Sequence, residues 1–144
     1  MATENTIDLL KECNSGVQMA VFSMKEILDD VKDAKFRQIL VDSIENHEKL
    51  GNRTHEHLHE VGKETEDPGP IAKGMSWMKT TAKTLMNDSD KTCADLLTEG
   101  CNMGIKTLYR YLNEYKDADE KSRKLAEDII REEETLRQNI RCYL

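Results

Sequence analysis

The stretch from Phe36 to Val61, FRQILVDSIENHEKLGNRTHEHLHEV, decides the fold. Its apolar residues and a few small or polar ones recur every three or four positions, which places them along one face of an α-helix. That face consists of Phe36, Leu40, Ser43, His47, Leu50, Thr54, Leu58 and Val61. The pattern predicts a helix over residues 34–62 that starts after the Lys32-Asp33 corner and ends at Gly62.

Three further long stretches repeat with the same period, and a shorter one lies between them. The long ones predict helices over residues 6–31, 89–115 and 118–143. Asp117 followed by Glu120 forms a variant capping box that opens the last of these. The shorter amphipathic helix, over 71–86, follows the loop KETEDPGP at 63–70. Each long helix spans on the order of 38 Å at 1.5 Å per residue, so the four can pack side by side.

Composition and segment order indicate one all-α domain over residues 1–144. Charged residues make up 34% of the chain, aromatic residues only 5%, and there are two prolines, a mix typical of helical bundles. The simplest topology is an up-down-up-down four-helix bundle. The additional helix at 71–86 then lies between the two hairpins, either as a crossover or across one end of the bundle.

The charge distribution narrows the range of partners. The net charge is -7, with acidic and basic residues interspersed, so the sequence offers no basic stripe for nucleic acid or for an anionic membrane. No stretch reaches 18 apolar residues, and the first residues lack a leader pattern, so we expect a cytoplasmic protein. The widely spaced cysteines show no CxxC pair, which favours reduced packing thiols. They are Cys13, Cys93, Cys101 and Cys142.

Two helical hairpins joined by an amphipathic connection carry a family resemblance. With the turn Asp30-Val31-Lys32-Asp33 and the phrase IDLLKE at Ile7 to Glu12, they resemble the ferritin-like superfamily, in particular its bacterial bundle domains of unknown function. The resemblance covers nearly the whole chain. It implies a buried two-metal centre, held by an inward Glu on two helices and by a Glu-x-x-His pair on each of the other two.

The ligand motif of that centre is incomplete in every helix. His47 lies in the core stripe of the second helix, but Ile44 stands three residues earlier instead of a glutamate. Glu133 lies at the edge of the last stripe, but Leu136 stands three residues later instead of a histidine. The other two long helices present no acid inward; their central positions are Val17, Val21, Cys101 and Leu108.

Two interpretations of the inward histidine follow. In the first, His47 is satisfied by a carboxylate or a backbone carbonyl, because buried polar groups almost always find a partner. Glu133 can reach it across the bundle, and Glu132 can share the contact. In the second, His47, Glu133 and Glu132, with Glu48, form a reduced metal site for iron or manganese.

A second string, His55-Glu56-His57-Leu58-His59, matches HExxH, in which two histidines one turn apart bind zinc. Gly62 extends the match to HExxHxxG, but Thr65 stands where a third histidine would complete the ligand set. No strand is evident to align a peptide substrate. The sequence therefore does not favour a peptidase.

The angular positions of these histidines around the helix axis indicate that the end of the second helix faces solvent. At about 100° per residue, His47 lies within about 10° of the core direction, whereas His55 lies about 90° and His59 about 130° away. The alternative is a surface zinc or nickel site on His55 and His59, without catalytic consequence.

The sequence thus predicts a non-enzymatic, ferritin-like binding or structural bundle that lacks a complete dimetal site and assembles as a homodimer. It predicts no catalytic residue and no required cofactor. The competing hypothesis is a metal-binding or metal-dependent oxidoreductase bundle around His47 and Glu133.

Overall fold

The computed structural model describes residues 4–62 and 89–144. They form four α-helices: α1 (Glu4–Leu28), α2 (Ala34–Glu60), α3 (Asp90–Glu114) and α4 (Glu120–Ile140). A short 3₁₀ turn, Arg141–Tyr143, follows α4. The described part of the chain contains no strand, which confirms the all-α prediction. The predicted loop at 63–70 and helix at 71–86 lie outside the described residues.

The helix ends follow from capping chemistry, with one correction. Asp33 caps α2 by accepting a hydrogen bond from the Lys35 backbone N–H at 3.1 Å. Gly62 ends the helix with a positive φ of 85°, a conformation that favours glycine. The predicted cap of α4 is wrong by two residues, because Asp119 accepts from the Ser122 backbone N–H at 2.8 Å. Asp117 does not take this role, since α4 begins only at Glu120 and the Asp119 backbone N–H, two residues after Asp117, donates to the Thr6 hydroxyl instead.

The direction of α3 contradicts the predicted up-down-up-down topology. The Asp90 carboxylate, at the start of α3, accepts from the backbone N–H groups of Lys32 and Asp33 at 2.8 and 2.9 Å. Helix α3 therefore starts at the same end of the bundle as α2 and runs parallel to it. The order is up-down-down-up. The prediction assumed the shortest connection between hairpins, whereas the chain leaves α2 at one end of the bundle and enters α3 at the other.

The neighbours in the bundle fit this order. Helix α1 packs against α2 and α3, and α4 also packs against both, while α1 and α4 touch across the diagonal. Helices α2 and α3 occupy the other diagonal, and their backbones do not approach each other closely. The seam between α2 and α4 therefore closes one side of the bundle, and the candidate site lies on it.

Two large apolar clusters occupy the two halves of the bundle, and a smaller one consists of Leu10, Leu58 and Leu125. The first contains mainly Met24, Ile27, Phe36, Leu40, Ile44, Leu97, Cys101, Leu136 and Ile140. The second contains mainly Leu9, Cys13, Val17, Leu50, Leu108, Leu112, Ala126, Ile129 and Ile130. His47 lies on α2 between Ile44 of the first cluster and Leu50 of the second. Packed apolar layers therefore lie on both sides of His47 along the bundle.

Within residues 4–62 and 89–144, no helix combines the length and the apolar character needed to cross a membrane.

Candidate functional site

The candidate site is built around His47, whose side chain is completely buried halfway along α2. Its Nδ1 lies 2.8 Å from the carbonyl oxygen of Ser43, one turn earlier in the same helix. A carbonyl oxygen only accepts hydrogen bonds, so Nδ1 carries a hydrogen and donates it. The backbone of α2 thus fixes both the orientation of the ring and one of its protons.

The second ring nitrogen faces α4. Nε2 of His47 lies 3.0 Å from Oε1 of Glu133, whose side chain is also buried. With its hydrogen on Nδ1, a neutral ring can only accept at Nε2, and an ionised carboxylate oxygen also only accepts. A hydrogen must therefore lie between Nε2 and Oε1, and the pair holds one proton more than a neutral imidazole and an ionised carboxylate. The predicted contact between His47 and Glu133 is present.

Burial and charge oppose each other at His47. Burial by itself lowers the pKa of an imidazole, because it disfavours the charged form. The hydrogen bond and the negative charge of Glu133 outweigh that effect and raise the pKa of His47 above its ordinary value. The extra proton of the pair therefore binds more tightly than it would on a solvated histidine.

Helix α3 closes the site with small residues. Burial and the charge of Glu133 raise the pKa of the Cys101 thiol far above its ordinary value. The thiol therefore keeps its hydrogen and donates a hydrogen bond to Glu133. Gly104 leaves space beside the same carboxylate, since a Cβ there would lie 3.7 Å from Cδ of Glu133. The small side chain of Cys101 and the missing side chain of Gly104 therefore leave room for the Glu133 carboxylate.

The other predicted site residues lie further out. Glu132 is half-buried, and its Oε2 accepts a hydrogen bond from the Ser43 hydroxyl at 3.1 Å. That hydroxyl lies 3.3 Å from Nδ1 of His47, so Glu132 is linked to the imidazole only through Ser43. Glu48 is exposed and makes none of these contacts. The structure therefore brings His47 and Glu133 together, attaches Glu132 indirectly and leaves Glu48 aside.

A shallow groove of about 340 Å³ runs along the outer face of the α2–α4 seam. Its lining residues are Asn46, Lys49, Leu50, Asp128, Arg131, Glu132 and Thr135. The groove reaches Glu132 but not His47. The imidazole is therefore connected to this groove by hydrogen bonds alone.

The residues present do not fit a ferritin-like two-metal centre. Such a centre needs about four carboxylates and two imidazoles converging on one point, whereas one imidazole and one buried carboxylate meet here. Ile44 and Leu136, which stand at the missing motif positions, are packed into the apolar core. Among the described residues, no group of three or more His, Cys, Asp or Glu side chains is arranged to hold a metal ion.

The histidine side chains of the HExxH string lie partly at the surface and partly in the interior. His55 is half-buried and His59 is exposed. His57, between them, is buried, and sequence reasoning missed it. Its Nε2 lies 2.9 Å from Oδ2 of Asp119, and its Nδ1 lies 3.1 Å from Oε2 of Glu60. The buried histidine of this string is therefore not one of the predicted metal pair.

The partners of His57 tie three helix ends together. Asp119 is the cap of α4, and its backbone N–H donates to the Thr6 hydroxyl of α1 at 2.8 Å. Glu60 belongs to the last turn of α2 and also binds the Lys121 ammonium group at 3.0 Å. The hydrogen bonds from Ser122 and His57 outweigh the effect of burial and lower the pKa of Asp119. Asp119 therefore stays ionised and accepts hydrogen bonds only.

Comparison of the chain with protein-family models, with curated proteins and with solved structures finds no match.

Proposed function

We propose that this protein is a non-enzymatic, ferritin-like bundle that acts through its surface as a binding or structural protein, with a proton-bearing His47–Glu133 pair in place of a metal centre. One observation carries the proposal: both ring nitrogens of His47 are already engaged, Nδ1 by the Ser43 carbonyl and Nε2 by Glu133. A metal ion would need one of these nitrogens as a free lone pair.

The topology supports the ferritin-like assignment. A bundle of two hairpins in which α2 and α3 run parallel needs one long crossover between them, and ferritin-like folds have one such connection. Antiparallel bundles with short loops throughout do not place Asp90 beside Lys32 and Asp33 as this chain does. The resemblance in segment order and the helix directions thus point to the same superfamily.

The closure of the site supports a non-catalytic role. A catalytic group must reach its substrate, and substrate sites are clefts or cavities. His47 is completely buried, and the groove on the neighbouring seam stops at Glu132. The polar centre therefore suits the interior of a bundle better than a reaction centre.

Metal analysis tests this proposal. The wild type, His47→Ala and His55→Ala proteins are purified without a histidine tag and analysed for iron, manganese, zinc and nickel by mass spectrometry. We expect substoichiometric metal in all three. Stoichiometric iron or manganese that is lost only in His47→Ala would establish the metal-dependent alternative instead.

The same series covers the surface histidines. Stoichiometric zinc or nickel lost only in His55→Ala would show that His55 and His59 form a site, and a His59→Ala protein should then behave in the same way. Light scattering on the metal-free wild type tests the proposed homodimer, for which we expect twice the mass of one chain.

A further inference from the structure

Polar pairs cross between residues 43–60 of α2 and residues 119–133, which comprise the cap and the first two thirds of α4. We call this set the α2–α4 seam. Its pairs are Ser43–Glu132, His47–Glu133, Arg53–Asp128, His57–Asp119 and Glu60–Lys121. Their order is antiparallel, so one row of contacts holds the two helices in register over this stretch.

Two pairs in the seam need an extra proton. Both ring nitrogens of His57 face carboxylates, Glu60 on one side and Asp119 on the other. An ionised carboxylate only accepts hydrogen bonds, so both nitrogens donate only when the ring is an imidazolium. His47 has the same requirement, because its nitrogens face a carbonyl and a carboxylate.

The charged groups around His47 favour the imidazolium state. Glu133 and Glu132, both on α4, act on His47, and α3 contributes the Cys101 thiol against Glu133. The charge of Arg137, also on α4, acts on Cys101 in the opposite direction to that of Glu133. The groups around His47 are therefore mainly acidic.

At the other end, His57 faces Glu60 from its own helix and Asp119 from α4. Lys121 of α4 contacts Glu60, and α1 supplies the uncharged Thr6 hydroxyl to the Asp119 backbone. The hydrogen bonds from Lys121 and His57 lower the pKa of Glu60, so this carboxylate stays ionised. The surroundings of His57 thus combine two anions with one cation.

We propose that the α2–α4 seam is a proton-gated contact, in which protonated His47 holds α2 against α4 through Glu133 and the loss of this proton loosens the seam. A neutral imidazole would point a lone pair at a carboxylate oxygen about 3 Å away, which is repulsive. The seam pairs without a histidine cannot compensate, because Arg53 and Lys121 are largely solvent-exposed and such ion pairs contribute little.

Hydrogen exchange at pH values from 5.5 to 9.0, corrected for the intrinsic rates, tests the proposal. We expect backbone amides of residues 43–60 and 120–133 to lose protection as the pH rises, while amides in the middle of α3 keep theirs. The effect should be about tenfold for each unit by which the pKa of His47 differs between the closed and open states. Constant protection along the seam would overturn the proposal.

One conservative substitution makes the test specific. Glu133→Gln keeps an oxygen and adds an NH₂ group, which can donate to Nε2 of a neutral His47. We expect Glu133→Gln to show the same seam protection at all pH values. A pH dependence equal to that of the wild type would contradict the gating.

A matched control and a second measurement keep the outcome clear. Glu134→Gln changes an exposed α4 carboxylate outside the seam and should leave the pH dependence as in the wild type. If Glu133→Gln does not fold, ¹⁵N NMR of the histidine rings in the wild type decides. We expect an imidazolium signal for His47 at pH 6, and a neutral His47 ring at that pH would overturn the proposal.

Discussion

Glu133 of α4 and His47 of α2 form a buried pair at the centre of the bundle, with Oε1 and Nε2 3.0 Å apart. The two residues belong to different hairpins, so their contact joins the two halves of the fold. The free-energy cost of burying such a pair is large, and a buried pair of this kind is weak evidence for net stabilisation. Removing only one of the two side chains should nevertheless lower the free energy of unfolding strongly.

The first prediction compares the removal of one residue of this pair with the replacement of both. Glu133→Ala should lower the free energy of unfolding by about 3–5 kcal/mol, because it leaves His47 buried without its partner. Replacing both residues, as in His47→Leu/Glu133→Leu, should cost much less. Urea denaturation followed by circular dichroism measures both. Glu134→Ala, one residue away but exposed, is the control and should change little. Equal losses in the single and double variants would show that the pair is not a unit.

The sequence predicts this contact because helical periodicity determines which face of each helix is inward. His47 repeats with Leu40, Leu50 and Thr54, and Glu133 lies at the edge of the α4 stripe. The direction of α3 could not be predicted in the same way. Periodicity fixes a helix's faces but not which end comes first, and that order depends on how far the preceding connection travels.

A second prediction concerns the contact that fixes the direction of α3. Asp90→Ala should lower the free energy of unfolding by about 1–3 kcal/mol, because the backbone N–H groups of Lys32 and Asp33 lose a charged acceptor. Thermal unfolding measures the loss. Asp95→Ala, an exposed aspartate in the same helix, is the control. The prediction fails if the two variants unfold at the same temperature.

The third prediction compares two glycines inside helices. Gly100→Ala should raise the free energy of unfolding by about 0.5–1 kcal/mol, since alanine favours the helix and its Cβ meets nothing within 4 Å. Gly51→Ala should gain less or lose stability, because its Cβ would lie 3.2 Å from Cγ1 of Val17 on α1. Urea denaturation of both variants measures the difference. An equal gain in both would show that Val17 on α1 moves aside without lowering the free energy of unfolding.

His57 shows where sequence reasoning about the site ends. By the helical count it lies about 80° from the direction of His47, which is too far to predict burial from periodicity. Its burial depends on the start of α4, where Asp119 both caps the helix and accepts from the imidazole. The sequence predicts a cap near this position, but the pairing of the cap with His57 arises from tertiary packing.

The last prediction is a fall in stability with rising pH. Because the pKa of His47 is higher in the folded state than its ordinary value, this group contributes stability that is fully present below about pH 6.5 and is lost as the pH rises through the folded pKa. The slope can reach about 1.4 kcal/mol per pH unit for one proton. Urea unfolding at pH values from 6 to 9 measures it. His47→Gln should remove this contribution, whereas His59→Gln, which changes an exposed histidine of the same helix, should retain it. If His47→Gln loses stability with pH as steeply as the wild type does, the proton does not reside on the His47–Glu133 pair.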